Sequence, residues 1–180
     1  MCIRDRHDIV TLKAAGINGV VIGMLNTDGS IDNERTRQLI ELARPLEVTF
    51  HRAFDVSADP FRSLDDLINL GIDRLLTSGQ ESSVLEGVEL ISELVRRAGD
   101  DIIIMPGAGI TPKNLTRIIR ETGAKEFHVT GSSTVTSKME YRNERCYMGK
   151  ALYPPEFSIK VTDPEKIRHY GQLIRKVTES

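Results

Sequence analysis

The chain has 180 residues, of which 39% are hydrophobic and 28% charged, so it can bury one substantial core and is too short for two ordinary domains. Its formal net charge of −2 and its lack of tryptophan argue against a phosphate-neutralising stripe or a base-stacking platform, so we expect no nucleic-acid partner. Apolar runs such as Gly19–Leu25 are far shorter than the roughly 20 residues that span a bilayer, and no signal-peptide pattern opens the chain, so we expect a cytoplasmic protein without a membrane partner.

The first six residues differ in character from the rest of the chain. Met1–Arg6 matches no cap, strand or helix signal, and we interpret it as a non-native leader. The folded domain is then expected to run over residues 7–180. Only two cysteines occur, Cys2 and Cys146, and their spacing indicates neither a disulfide framework nor a zinc site.

The dominant pattern is a repeat of helix, glycine, short apolar strand and polar loop. Gly16, Gly71 and Gly123 each stand where a helix is expected to end in a left-handed residue. Strands are predicted at Gly19–Leu25, Glu47–His51, Arg74–Ser78, Asp101–Met105 and Glu126–Thr130. About one helix separates each strand from the next, which predicts a parallel sheet with right-handed crossovers.

Helix starts are marked by a capping side chain followed by proline, at Asp59-Pro60, Thr111-Pro112 and Asp163-Pro164. Apolar residues at helical spacing predict amphipathic helices over Phe61–Leu70 and Val84–Val95. The fold class is therefore α/β, of the TIM (β/α)8-barrel family. Because a closed barrel of this kind needs eight strands, we expect an incomplete barrel of about five βα units, with about three units missing at the N-terminus.

Two histidines lie at the C-terminal ends of predicted strands, on the polar side of the alternation. In Glu47–Asp55, Val48 and Phe50 share one parity while His51 has the other, and His128 has the same position in its own strand. Both are expected at the barrel mouth, where imidazole serves as an acid, a base or a metal ligand. The alternative is that each histidine only satisfies a neighbouring polar group.

Arg52 and Asp55 follow the same strand. An arginine can grip an anion with two hydrogen bonds, and an aspartate can orient a histidine or that arginine. We therefore count His51, Arg52, Asp55 and His128 as candidate catalytic residues; a local Arg52–Asp55 ion pair is the simpler alternative. Ser78 lies in a polar loop after the next strand and is a candidate for ligand contact, although such a loop is typical of any βα turn.

Two glycine-rich turns near the end of the chain predict an anion site. Gly107 and Gly109 precede the cap at Thr111, and Gly131 and Ser132 follow the fifth predicted strand. Backbone N–H groups and a helix N-terminus at these places would suit a phosphate or carboxylate. Met105 ends a strand, and its thioether together with imidazoles is a candidate ligand for Cu(I), although methionine more often fills a core.

The combination of VTFHRAFD, LLTSG, IIIMPGAGI, EFHVTGSS and FSIKVTD resembles the CutC family, from about His7 to the C-terminus. The resemblance implies a TIM-barrel-like cytoplasmic protein that forms homo-oligomers and takes part in copper homeostasis or copper binding. It also implies about three further N-terminal βα units, and pocket roles for His51, Arg52, Asp55, Ser78, Gly107, Gly109 and His128. The central residue of the glycine-rich turn is Ala108 here, where the family has glycine.

Two functions remain open on the sequence. The first is copper binding, with His51, His128 and Met105 as candidate ligands and copper as the bound ion. The second is a barrel enzyme for a small anionic metabolite, of which a phosphorylated metabolite is one kind. In that enzyme Gly107, Gly109 and Gly131 would hold the anion, Arg52 would clamp it, and a histidine would transfer a proton.

Overall fold

The structure is a computed structural model that describes residues 3–143, 145 and 156–178. Cys2 and Cys146 lie outside the described residues. The chain divides into two compact units, Met1–Val129 and Thr130–Ser180. Within the described residues no helix is both long enough and apolar enough to cross a membrane.

The first unit is built on a four-stranded parallel sheet with strands in chain order. The strands are β1 (Gly19–Ile22), β2 (Glu47–Phe50), β3 (Arg74–Thr77) and β4 (Ile103–Pro106). The helices are α1 (Ile3–Ala14), α2 (Asn33–Ala43), α3 (Pro60–Leu70), α4 (Val88–Ala98) and α5 (Leu115–Thr122), with a short 3-10 helix at Arg52–Val56 after β2. The order of strand and helix confirms the predicted α/β fold with a parallel sheet.

Alternation along each strand separates a covered face of the sheet from an open one. Val48, Phe50 and Leu75 are fully buried under the helices. The opposite parity is polar or exposed: Val21 is 63% exposed, and Arg74 forms ion pairs with both Glu47 and Glu126. The core therefore lies between the sheet and the helices, on the side that the sequence parity predicted for Val48 and Phe50.

Helix boundaries follow local chemistry. Asp59 caps α3 by accepting hydrogen bonds from the backbone N–H groups of Phe61 and Arg62. Gly71 ends α3 with φ +73°, and Gly123 ends α5 with φ +68°, so both predicted left-handed terminators are present. Gly16 likewise has φ +78° after α1.

Two predicted helix starts are wrong. Helix α4 begins at Val88 and not at Val84, because Gly87 packs tightly on the Ser78–Gly79 backbone and the preceding residues form a turn. Helix α5 begins at Leu115 and not at Pro112. There the Asn114 side chain accepts a hydrogen bond from the Thr111 N–H at 2.7 Å, which holds residues 111–114 in a separate turn.

The fifth predicted strand, Glu126–Thr130, is also wrong, because the structure shows no strand there. This segment meets the sheet through one backbone hydrogen bond, from the His128 N–H to the Pro106 carbonyl at 2.9 Å. Glu126 instead pairs through its side chain with Arg74. The parallel sheet of the described residues therefore has four strands where five were expected.

Ile3–Arg6 lies within α1, so the first helix begins inside the segment interpreted as a leader.

The second unit contains an antiparallel hairpin, β5 (Ser132–Thr136) and β6 (Ser158–Thr162), followed by helix α6 (Pro164–Thr178). Asp163 caps α6 by accepting hydrogen bonds from the Glu165 and Lys166 N–H groups, as its Asp-Pro sequence predicted. Gly131 and Ser132 belong to this unit, where their carbonyls accept hydrogen bonds from the Asp163 N–H and from Lys166 Nζ.

Candidate functional site

Most of the predicted site residues of the first unit lie at the carboxyl edge of its sheet. His51 follows β2, Ser78 follows β3 and Gly107 follows β4. Because β2 pairs with β3 and β3 with β4 in parallel, these positions are neighbours along one edge. The Gly107 N–H donates to the Thr77 carbonyl at 2.9 Å, which ties the last two loops together. This edge is where ligands bind in open α/β sheets.

His51 is held in one orientation by the backbone. Its Nδ1 accepts a hydrogen bond from the Ala53 N–H at 3.0 Å, so in the neutral ring the proton lies on Nε2. The ring packs directly against Gly23, just after β1. His51 and Met24 line the same cavity of about 400 Å³, together with residues of α1 and β1. One cavity is therefore lined by a histidine whose ring is fixed and by a methionine.

Arg52 and Asp55 form the ion pair that the simpler interpretation predicted. Arg52 Nε donates to Asp55 Oδ2 at 2.6 Å, and Arg52 Nη2 donates to Ser78 Oγ at 2.7 Å. The Asp55 side chain is 6% exposed, whereas that of Arg52 is 44% exposed. Asp55 thus orients the arginine, and Ser78 fixes a second point of the same guanidinium group.

The Asp55 carboxylate is also an anchor for the loop after β3. It accepts hydrogen bonds from the Thr77 hydroxyl, the Ser78 N–H and hydroxyl, and the Gln80 N–H. Burial alone would raise the pKa of Asp55, but the hydrogen bonds from Thr77, Arg52 and Ser78 outweigh it and hold the pKa below its usual value of 3.8. Asp55 is therefore a carboxylate whose charge is compensated in place.

Gln80 clamps the same loop onto the 3-10 helix. Its side-chain amide donates to the carbonyls of Phe54 and Ser57, at 3.2 and 2.9 Å, and its backbone adopts a left-handed φ of +58°. A left-handed conformation is costly for a residue with a side chain, and such positions are often found at functional sites. The loop after β3 is consequently held at both ends and does not act as a free linker.

The glycine-rich turn after β4 has a left-handed backbone at two residues, and one of these two carries a side chain. A Cβ at Gly107 would lie 2.7 Å from the Cδ1 methyl group of Leu76, so a side chain there would require Leu76 to shift. Ala108 and Gly109 both have left-handed backbones, with φ of +74° and +85°. The predicted helix N-terminus is displaced from this turn, because Asn114 takes up the Thr111 N–H and α5 starts at Leu115.

His128 and Met105 are near this turn but are not joined to His51. His128 is exposed and its side chain approaches Gly107, while Met105 is half-buried in β4. Among the described residues no hydrogen bond links the two histidines, and no group of three or more His, Cys, Asp or Glu side chains is arranged to hold a metal ion. Gly131 and Ser132 lie in the second unit.

Gly23 was missed by the interpretation of the sequence. A Cβ at this position would lie 2.3 Å from two ring atoms of His51, so the imidazole occupies the place of a side chain. The available signal was the glycine directly after the apolar run of β1, which resembles the glycines after the later strands. Only the register between β1 and β2 shows which side chain fills that space.

Comparison with known proteins identifies relatives along most of the chain. The sequence model of the CutC family matches residues 3–133. A family protein CutC of Parabacteroides distasonis is 53% identical over 163 residues, covering 91% of this chain and 67% of the relative. The copper homeostasis protein cutC homolog of Homo sapiens is 46% identical over 172 residues, covering 96% of this chain and 63% of the relative. The chain thus spans about two thirds of the length of these relatives.

Solved structures give the same family and fold. A crystal structure of CutC from Streptococcus agalactiae matches with a TM-score of 0.65 and 35% identity, covering 68% of this chain and 60% of that one. The native KDPGal structure matches with a TM-score of 0.55 over 97% of this chain and 66% of that one. At 17% identity the second likeness concerns the fold alone, which is that of the TIM-barrel family.

Proposed function

The chain belongs to the CutC family, and from that premise we propose that it binds copper ions in the cytoplasm as part of copper homeostasis. The support is the function for which its relatives are named, since the Homo sapiens and Mus musculus homologues are copper homeostasis proteins at 46% and 47% identity. Because this chain spans about two thirds of their length, the role of the whole protein is part of the proposal.

The observation that carries the proposal is the cavity shared by His51 and Met24. Soft thioethers favour Cu(I), and imidazole is a ligand that copper accepts readily. Because Nδ1 accepts the Ala53 N–H, copper binding by Nε2 requires the Nε2 proton to leave and the other ring tautomer to form, which breaks this hydrogen bond. His128 and Met105, the other candidate ligands from the sequence, do not line this cavity.

The test is an anaerobic Cu(I) titration of the full chain against a competing chelator. The His51→Ala and Met24→Leu variants should each weaken binding, and the double variant should reduce the affinity by about a hundredfold, as expected when two ligands are lost. His169→Ala, at an exposed histidine of α6, is the matched control and should bind as the unmodified chain does. Unchanged Cu(I) affinity in the double variant would overturn the proposal. A loss of Cu(I) affinity in His128→Ala alone would also overturn it, because the site would then be at His128.

A further inference from the structure

A second binding feature lies at the same edge of the sheet, outside the cavity of His51 and Met24. Arg52 does not line that cavity. A guanidinium group carries five N–H donors, on Nε, Nη1 and Nη2. Arg52 donates a hydrogen bond from its Nε–H to Asp55 and another from one Nη2–H to Ser78. Its remaining contact, from Nη2 to the Glu81 carbonyl, is long at 3.5 Å.

The side edge of the guanidinium, formed by Nε–H and one Nη2–H, is therefore occupied by short hydrogen bonds, whereas the end formed by Nη1 and the second Nη2–H has at most the long contact with Glu81. Within residues 3–143, 145 and 156–178 no acceptor for Nη1 is found. Nη1 and the second Nη2–H face the same way, as the two prongs with which arginine grips a carboxylate or phosphate. With 44% of its side chain exposed, Arg52 presents this end to a ligand from solvent.

The arginine is also held in advance of binding. Both groups that fix it are rigid, because Ser78 is fully buried and Asp55 is 6% exposed with several other hydrogen bonds. An arginine of an ordinary surface pair must lose side-chain freedom when it binds, which weakens its binding. Arg52 has already lost that freedom in the folded chain. By contrast, in the part of the chain that the structure describes, Arg96 pairs only with Glu93, and its side chain is 77% exposed.

We propose that Arg52, positioned by Asp55 and Ser78, binds the oxyanion of a small molecule through the Nη1 end of its guanidinium group. The ligand class is a carboxylate or a phosphate, since either matches the spacing of the two prongs. Asp55 and Ser78 are positioning residues in this site. The proposal does not depend on copper, and it does not use the N-terminus of α5, whose start lies beyond the turn of residues 111–114.

The experiment follows the arginine Nε–H signals of the ¹⁵N-labelled full chain by NMR while inorganic phosphate or malonate is added at constant ionic strength. Arg52 should show a saturable shift. Arg52→Lys keeps the charge but loses the two-pronged geometry, so the affinity measured on neighbouring backbone amides should fall about tenfold. Ser78→Ala should weaken binding while circular dichroism shows a folded chain. The matched control, Arg96→Lys, should bind as the unmodified chain does.

Saturation by phosphate alone would assign a phosphate ligand, and saturation by malonate alone a carboxylate. Linear shifts without saturation for both ions, or equal affinity in Arg52→Lys, would overturn the proposal. An equal loss in Arg96→Lys would also overturn it, because the effect would then follow from replacing any arginine by lysine and not from this site.

Discussion

Gly23 and His51 occupy a single side-chain space: a Cβ at position 23 would lie 2.3 Å from both Cε1 and Nδ1 of the imidazole ring. The two residues follow adjacent strands, and β1 pairs with β2 in a register that sets Ile22 beside Phe50. The absence of a side chain at position 23 therefore determines where the His51 ring can lie. The same ring accepts the Ala53 N–H on Nδ1, one of the two atoms nearest to that glycine.

The first prediction is that Gly23→Ala displaces His51 without changing any candidate ligand. The ring must rotate away and lose its hydrogen bond from Ala53, which should cost about 1–3 kcal/mol of the free energy of unfolding. Cu(I) affinity should fall nearly as much as in His51→Ala. Long-range ¹H–¹⁵N NMR of the imidazole reports the tautomer and checks the displacement. An unchanged spectrum with full copper affinity would show that the ring does not depend on Gly23.

The second prediction concerns the anchor at Asp55. Asp55→Asn removes the charge opposite Arg52 and turns one acceptor oxygen into a donor that faces the Ser78 N–H and hydroxyl. We expect a loss of about 2–4 kcal/mol in the free energy of unfolding, measured with urea. The matched control is Asp65→Asn, which breaks an exposed pair with Arg97 and should cost about 0.5 kcal/mol. Equal losses in the two variants would show that Asp55 is an ordinary surface partner.

The third prediction is a pH dependence that belongs to Asp55. Its folded pKa lies below the usual value of 3.8, so its contribution to stability is present above the unfolded pKa. That contribution is lost as the pH falls below about 4 and through the folded pKa, because the unfolded state binds a proton at Asp55 more readily than the folded state does.

The measurement is the difference in free energy of unfolding between the unmodified chain and Asp55→Asn, from pH 6 to about pH 3. Asp32, whose pKa is also lowered, is present in both chains and cancels from this difference. The gap should be constant near pH 6 and shrink below about pH 4. A gap that stays constant, or grows in acid, would contradict the lowered pKa.

The fourth prediction concerns Ala108, which has a left-handed φ of +74° in the glycine-rich turn. A left-handed backbone costs a residue with a Cβ about 1–2 kcal/mol, while glycine loses about 0.5–1 kcal/mol more entropy on folding. Ala108→Gly should therefore raise the stability by about 0.5–1 kcal/mol. Thermal unfolding measures the effect. The opposite change is expected for Ala98→Gly, at a buried position that ends α4, and a loss of stability in both variants would contradict the strain at Ala108.

Local signals in the sequence predicted much of the fold. The capping pairs Asp59-Pro60 and Asp163-Pro164 and the terminating Gly71 and Gly123 were confirmed, because each acts through hydrogen bonds or backbone freedom within a few residues. The fifth strand, Glu126–Thr130, was not. Its alternation is typical of a strand, but a strand exists only if a neighbour supplies a ladder of hydrogen bonds, and here one such bond is made.

The candidate site was likewise predicted in part from local signals in the sequence. The sequence by itself determined that polar residues follow the strands, since His51 comes directly after the apolar alternation of Val48 and Phe50 and has the opposite parity. Only the tertiary structure decided what those residues do to each other. It set Gly23 beside His51, Ser78 and Asp55 on Arg52, and Asn114 on the N–H of Thr111. The physical reason is the separation of the residues along the sequence. Capping and alternation involve residues within one turn or one strand, whereas these contacts depend on strand register and on loops that are far apart in the sequence.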